Sequence, residues 1–437
     1  MGLSKKPYKG CRDFFPAQKR IQNFIFQKMK ESADIYGYDP YDGPLLEEVE
    51  LYRAKSGQEL INEQIYSFTD RGDRFVAIRP EMTPTLARMV AQIHRETPKP
   101  IRLYSIPNLM RYEKPQKGRL REHWQFNCDI FGAPSRNGEF EILQVATYLM
   151  NSFGASNNHF EILVNDRSIV ETIFKDLMNL NTETSYKLYK IVDRSKKVSK
   201  EDLDAMIKEL NLSEKNNKIL ECYLEFTSFQ QVISFLETNE KNEIAHGLSE
   251  FLDLVINSNL KEYITYDPTI VRGLDYYTGL VFEIFDKHPE NKRAICGGGS
   301  YQDLLKIFDE PPVPGVGFGL GDVTLTDFLK VHDLLPNHIE SPDCQLFLTF
   351  QDSLCTSKCL NLANELRAKH IKVVTHLEPL KFNKVFPLAE KRGASIVGLM
   401  GSQELNNNTI QLKNMSSKKQ ITLDISKIDE IIKVIHE

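Results

Sequence analysis

Long apolar runs are missing from these 437 residues. Nothing approaches the roughly 18 consecutive apolar residues that a membrane-spanning helix requires, and the opening Met1-Gly2-Leu3-Ser4-Lys5-Lys6 has no apolar core of the kind a secretion signal carries. A cysteine framework is missing too. The seven cysteines are an odd number scattered from Cys11 to Cys359, which argues against a disulfide scaffold and for a reducing compartment, the cytosol. Cys355 and Cys359 have helical spacing, but no neighbouring His or third Cys completes a tetrahedral zinc set. An overall cationic footprint of the kind nucleic-acid binders show is absent, since the net charge is −5. The distribution is uneven, however. From Ser341 to Glu437 there are 13 Lys and Arg against 10 Asp and Glu, a local balance of +3 that leaves −8 on the rest. Repeats and low-complexity tracts are also lacking.

What is present is ordinary globular material, 41% hydrophobic and 26% charged, which supplies enough apolar surface for more than one core. The length suggests roughly two to three domains. Residues Gln18 to Tyr36 place Ile21, Phe24, Ile25 and Met29 on one stripe of an amphipathic helix that Gly37 ends. Short apolar runs follow: Arg74 to Ile78, Ile101 to Tyr104 and Gln125 to Phe131 read as strands. From about Ser168 to Leu260 the pattern becomes helical and rich in Leu, Lys and Glu, with Ser199-Lys200-Glu201-Asp202 resembling a capping box. Strand-like, glycine-rich sequence returns from Ile270 to Leu325, so the two β-rich blocks are expected to build one sheet around an inserted helical segment. After a polar stretch with proline, residues 343–437 alternate strand, helix, strand, helix, strand, which predicts a small α/β domain with a largely parallel sheet. The domains expected are therefore 1–166 and 263–331 as one core, 167–262 as a helical insertion, 332–342 as a linker and 343–437 as the α/β domain.

Five segments carry candidate chemistry. Arg111-Tyr112-Glu113-Lys114-Pro115-Gln116-Lys117-Gly118-Arg119-Leu120-Arg121 is a cationic loop running into the strand Gln125 to Phe131. A hairpin of this kind can grip a polyphosphate, because guanidinium forks bind phosphate bidentately; a solvated charged loop has the same composition. Val271-Arg272-Gly273-Leu274-Asp275-Tyr276-Tyr277-Thr278-Gly279 sets an Arg and two Tyr between glycines, either lining a pocket or packing as a buried aromatic pair. Cys296-Gly297-Gly298-Gly299-Ser300-Tyr301 and Gly315-Val316-Gly317-Phe318-Gly319-Leu320-Gly321 strip side chains from strand faces, where a flat ring or a second backbone is expected to approach. Neither is a Walker loop or a dinucleotide fingerprint. Arg79-Pro80-Glu81-Met82-Thr83-Pro84 offers a carboxylate beside a hydroxyl, suited to an amine or simply to the start of a helix.

Together these segments resemble the histidyl-tRNA synthetases, almost from end to end. Gly10-Cys11-Arg12-Asp13-Phe14-Phe15-Pro16 looks like the family's opening sequence, and Tyr36-Gly37-Tyr38 through Pro44 with Glu47 looks like motif 1, the dimer-forming segment. Arg111-x-Glu113, the basic loop and Gln125-x-x-x-Asp129 are similar to motif 2 of class II synthetases. The peptides from Arg272 to Gly279 and from Gly297 to Tyr301 resemble the two that are peculiar to enzymes handling histidine. The resemblance implies an α+β fold: an antiparallel sheet flanked by helices, a helical insertion, and a C-terminal α/β domain that reads the anticodon. It implies a homodimer that joins histidine to its tRNA with ATP and Mg²⁺. Glu81 and Thr83 then hold the α-amino group, while Gln125, Asp129, Tyr276 and Tyr277 surround the amino acid. Arg111 and Arg272 flank the α-phosphate and the attacking histidine carboxylate. Glu113 accepts from adenine, Arg119 and Arg121 face the ATP tail or the tRNA acceptor end, and Gly319 and Gly321 belong to the ATP site.

Two positions depart from the family pattern. Motif 3 commonly ends Gly-x-Glu-Arg, but Gly321 is followed by Asp322-Val323-Thr324, so the arginine for the ATP tail falls on Thr324. The histidine peptide commonly continues Gly-Gly-Gly-Arg-Tyr-Asp, and here Ser300-Tyr301-Gln302 stands in its place. Either another residue, with Arg293 and Lys292 as candidates, supplies the missing charge, or activation is compromised. The alternative functions are a non-catalytic histidine-binding regulatory paralogue, which typically lacks the anticodon domain, and an RNA-binding sensor.

Overall fold

The computed structural model describes residues 2–54, 63–196, 198–271 and 277–436. Its internal contacts divide it into two compact units, Met1–Asp13 with Gln22–Leu335 and Phe14–Ile21 with Pro336–Glu437. Helix α1 (Pro16–Ile35) opens on a proline whose fixed φ suits a first turn. Its residues at four-residue spacing, Ile25, Met29 and Ala33, are buried, as the periodicity predicts.

The larger unit contains strands β1 (Asp39–Pro40), β2 (Leu46–Glu48), β3 (Tyr66–Thr69), β4 (Phe75–Ile78), β5 (Ile101–Ser105), β6 (Asn108–Met110), β7 (Glu122–Phe131), β8 (Phe160–Asp166), β9 (Ile264–Tyr266), β10 (Leu280–Asp286), β11 (Cys296–Tyr301) and β12 (Gly315–Gly321). Nine of them form one sheet in the order β1-β5-β7-β12-β11-β10-β8-β9, with β6 also paired to β7. Only the outermost pairs, β1 with β5 and β8 with β9, are parallel. β5 and β6 pair with successive stretches of β7, and Pro107, which has no N–H to donate, separates them. β2, β4 and β3 make a separate three-stranded sheet.

Helices α2 (Val49–Arg53), α3 (Thr83–Ile93) and α4 (Ser135–Ser152) precede β8. Between β8 and β9 come α5 (Arg167–Glu171), α6 (Thr182–Arg194), α7 (Lys200–Glu209), α8 (Glu214–Glu225), α9 (Phe229–Thr238) and α10 (Asn242–Ile256). Four of these starts are written locally: the side chains of Asn181, Ser199, Ser213 and Ser228 each accept from the backbone N–H three residues on. The sheet closes across this helical segment, because β8 pairs with β10 along its whole length, Asp166 opposite Leu280 and Phe160 opposite Asp286. Helix α11 (Asp322–Val331) follows β12 directly.

The smaller unit holds β13 (Cys344–Phe350), α12 (Thr356–Ala368), β14 (Val373–Thr375), α13 (Phe382–Lys391), β15 (Ala394–Met400), α14 (Ser402–Asn406), β16 (Thr409–Asn414), β17 (Gln420–Asp424) and α15 (Ile428–His436). Strand order is β14-β13-β15-β16-β17. The first three are parallel, as the alternation predicts. The last two are antiparallel, so the sheet is mixed rather than largely parallel. β13 is buried on both faces: Leu346, Leu348 and Phe350 pack with α12, while Cys344 and Phe347 pack with Val385 and Ala389 of α13.

Candidate active site

The site starts with the alternation of β7. Phe126, Cys128 and Ile130 are wholly buried on one face, which turns Gln125, Asn127 and Asp129 to the other. The neighbouring β12 sets Gly321, Gly319 and Gly317 opposite these three in register. The glycines make the polar row possible. A Cβ at Gly317 would stand 2.1 Å from Asp129 Oδ1, and one at Gly319 would stand 2.6 Å from the Gln125 amide carbon. At Gly317 and Gly319 the cleared space is taken by side chains of the adjacent strand, while Gly315 faces the Tyr301 ring and Gly298 faces the Phe282 ring and the Gly317 carbonyl, the flat rings and second backbone expected from the glycine spacing.

Asp129 is 4% exposed and Asn127 5%. The Tyr301 hydroxyl, at the end of β11, donates to Asp129 Oδ1, and its ring stacks on Tyr277 at 6.5 Å between centroids. Burial pushes the Asp129 carboxyl up to about 7, against the opposing pull of the Tyr301 hydrogen bond. On the other side of the cavity, Arg79 pins the approach to α3. Its Nε donates to Asn108 O at 3.0 Å, and one terminal nitrogen donates to Asp42 Oδ1 and Gly43 O, both at 2.8 Å. Glu81 follows, 2% exposed, and Thr83 opens the helix. Arg111 leaves β6, with its Nε donating to Pro80 O at 2.8 Å.

Glu81, Thr83, Arg111, Gln125, Asp129, Tyr277 and Gly319, all named from the sequence, line one cavity together with Asn127, Gly297, Tyr301, Gly317 and Phe318. Arg272 and Tyr276 lie outside the described residues. Asn127 and the hydrogen bond of Tyr301 were not anticipated. A signal for Asn127 existed, since it is the middle of three polar residues at period two in a strand whose alternate positions are apolar.

The cationic hairpin stands beside this cavity. Glu113 is engaged at both carboxylate oxygens by Arg119. Arg121, expected to face the ATP tail or the tRNA acceptor end, is 9% exposed, donates to Glu113 O at 3.0 Å and Tyr8 Oη at 2.9 Å, and lies 4.0 Å over the Tyr112 ring. Burial, helped by the positive charges of Arg111, Arg12 and Arg119, pulls His123 down to about 3, so the imidazole is neutral. Gly321 ends β12 and caps α11. The next residue, Asp322, is buried and accepts from Arg12 at 2.8 Å and from Trp124 N at 2.9 Å, tying the opening sequence to β7.

Behind the sheet, Glu139 of α4 is fully buried. It accepts from Ser300 Oγ and from Leu280 N at 3.2 Å and pairs with Arg136 at 2.8 Å, which also reaches Asp166. One carboxylate thereby anchors the start of β10 to β11, immediately after Tyr277.

A nine-stranded, mainly antiparallel sheet floors this carboxylate-and-amide cavity, and an arginine-bearing hairpin stands at its side. Residues 10–323 match the family model described as histidyl-tRNA synthetase, a class II aminoacyl-tRNA synthetase, and residues 346–435 match one described as an anticodon binding domain. The chain is 42% identical over 435 residues to the histidine–tRNA ligase of Leptospira biflexa, covering 99% of this chain and 98% of that one. It is 36% identical to the Thermoplasma volcanium histidine–tRNA ligase, over 94% of both. Its fold matches the crystal structure of histidyl-tRNA synthetase from Nostoc sp. PCC 7120 with a TM-score of 0.81 at 22% identity, over 99% of this chain and 100% of that one. The chain belongs to the histidyl-tRNA synthetase family.

Proposed function

We infer that the chain is an ATP-dependent ligase that activates histidine to histidyl-adenylate and transfers it to the 3′ end of its tRNA, and we assign the roles as follows. The observation that carries the assignment is the convergence of Glu81, Thr83, Gln125 and Asp129 on one buried cavity with Arg111 at its wall. Glu81 and Thr83 receive the α-ammonium group. Asp129, Gln125, Asn127 and Tyr277 surround the imidazole, and a ligand without its ring nitrogens leaves these buried groups unpaired, which favours histidine strongly over isosteres. Arg111, joined by Arg272, holds the α-phosphate and the amino acid carboxylate together. A carboxylate oxygen attacks the α-phosphorus, the bond to the pyrophosphate oxygen breaks, and pyrophosphate departs with the electron pair. Positioning and charge neutralisation carry this step, and no side chain exchanges a covalent bond. The terminal ribose hydroxyl of tRNA then attacks the histidyl carbonyl and AMP leaves.

Glu113 takes the adenine amino group once Arg119 turns from it to phosphate, and Gly319 and Gly321 leave room for the nucleotide. Mg²⁺ supplies charge neutralisation on the phosphates. No cluster of three or more His, Cys, Asp or Glu side chains gathers among the described residues. Residues 167–262 form a helical insertion, 332–342 a linker, and 343–437 read the anticodon. The protein is a cytosolic homodimer: exposed Leu45, Leu46, Phe68 and Phe75 on and beside the three-stranded sheet are apolar surface suited to a second copy. No described helix is long and apolar enough to cross a membrane. The test is charging of a histidine tRNA transcript with labelled histidine and ATP. Wild-type charging that Arg111→Ala abolishes supports these roles, and unchanged charging by that variant removes Arg111 from the centre.

A further inference from the structure

We propose that Arg293, on the loop joining β10 to β11, binds the terminal phosphates of ATP beside the cationic hairpin, in the place where Thr324 offers no charge. This rests on the ligase reading above and adds a residue to it. The β10–β11 loop lies against the tip of the β6–β7 hairpin. Lys117 Nζ reaches Glu290 Oε2 at 3.3 Å, and a Cβ built at Gly118 would stand 3.0 Å from Arg293 Cδ and 3.4 Å from Thr324 Cγ2. Gly118 has a φ of +72°, so the hairpin turns there as glycine allows, and the missing side chain is what admits the aliphatic stem of Arg293.

Three cations around this point are already paired: Arg12 with Asp322, Lys117 with Glu290 and Arg119 with Glu113. Arg293 is half-buried, and among the described residues it has no carboxylate partner. Removing a guanidinium from water without a counter-charge is costly unless an anion arrives to meet it. Thr324 directs its hydroxyl at Gly321 O, 3.3 Å away at the start of its own helix, and at Ile295 O, 3.4 Å away just before β11. Lys292, the neighbouring candidate, is exposed. A polyphosphate is the ligand this arrangement fits, because the planar fork of arginine takes two oxygens of one phosphate and Arg119 can release Glu113 to take another.

Phosphate could come from ATP or from the acceptor strand of tRNA, and pyrophosphate exchange without tRNA separates the two. Arg293→Ala should raise the KM for ATP roughly 10- to 100-fold, the usual worth of a charge-assisted hydrogen bond. The KM for histidine should hold. Binding of a non-hydrolysable histidyl-adenylate analogue, which has no β- or γ-phosphate, should also match wild type, which shows that the site is folded. Arg293→Lys should recover part of the loss. An unchanged KM for ATP overturns the proposal, and an effect confined to the KM for tRNA overturns it in favour of an acceptor-strand contact. Wild-type protein that fails to bind the adenylate analogue overturns the ligase reading itself, an outcome separate from an unmoved Arg293 variant.

Discussion

Gly317→Ala is the substitution that the geometry of the cavity judges most sharply. The added methyl carbon would sit 2.1 Å from Asp129 Oδ1, 2.7 Å from its carboxyl carbon and 2.8 Å from Cys128 O. The last of these is backbone of the central strand and cannot turn aside. Asp129 must therefore rotate out of the floor of the pocket and lose the hydroxyl of Tyr301. Overpacking of this kind costs roughly 1–3 kcal/mol in stability. Displacing the carboxylate removes a charge-assisted contact to histidine worth about 1.5–3 kcal/mol, or about 10- to 100-fold in affinity. Gly321→Ala in the same strand is the control, since its Cβ meets only Thr324 Oγ1 at 3.5 Å, an ordinary contact. Chemical denaturation and calorimetric titration with histidine, both without ATP, measure the pair. If Gly317→Ala binds histidine as tightly as Gly321→Ala does, Asp129 is not the floor of the histidine pocket.

Two side chains of β7 give opposite pH signatures. The folded Asp129 titrates near 7, above the unfolded value of about 3.9, so the native state holds its proton more tightly, and stability present below about pH 4 is lost as pH rises towards 7. Asp129→Asn should flatten that limb in thermal melts, and histidine should restore wild-type stability at pH 8. His123 titrates near 3, below the unfolded value of about 6.5, so its contribution is present above pH 6.5 and lost as pH falls; His123→Gln should soften acid unfolding between pH 6 and 4. Glu139→Ala leaves Ser300 and Leu280 N without their acceptor and should destabilise by roughly 1–3 kcal/mol, seen as a lower denaturant midpoint, whereas an unchanged midpoint would mean that water replaces the carboxylate. A chain ending at Leu335 should keep pyrophosphate exchange and lose tRNA charging.

Much of this was legible along the chain, and the reasons differ by element. The polar row Gln125, Asn127, Asp129 shows in the period of two, yet only Gln125 and Asp129 fit a familiar motif, so no motif marks Asn127. The glycine strands were visible as cleared faces, but register decides what fills them: Gly317 faces Asp129 only because β12 is antiparallel to β7. Arg119 and Arg121 are two apart in one cationic loop, and no local pattern distinguishes the one that pairs with Glu113 from the one that stacks on Tyr112. Glu139 lies in an amphipathic helix as one more acidic residue; its burial follows from Ser300, which is 161 residues away. β16 and β17 are short and mostly polar and pair as a local antiparallel hairpin at the end of the chain, beyond the strand–helix alternation, which is why that alternation suggests a more parallel sheet than the mixed one formed.

The measurement that bears most directly on the central claim is exchange of pyrophosphate into ATP without tRNA, run with each of the twenty amino acids. Exchange with histidine alone is expected, and it would mean that activation proceeds with Thr324 in place of an arginine. Exchange with another amino acid, or none with histidine from protein that still binds histidine by calorimetry, would contradict it.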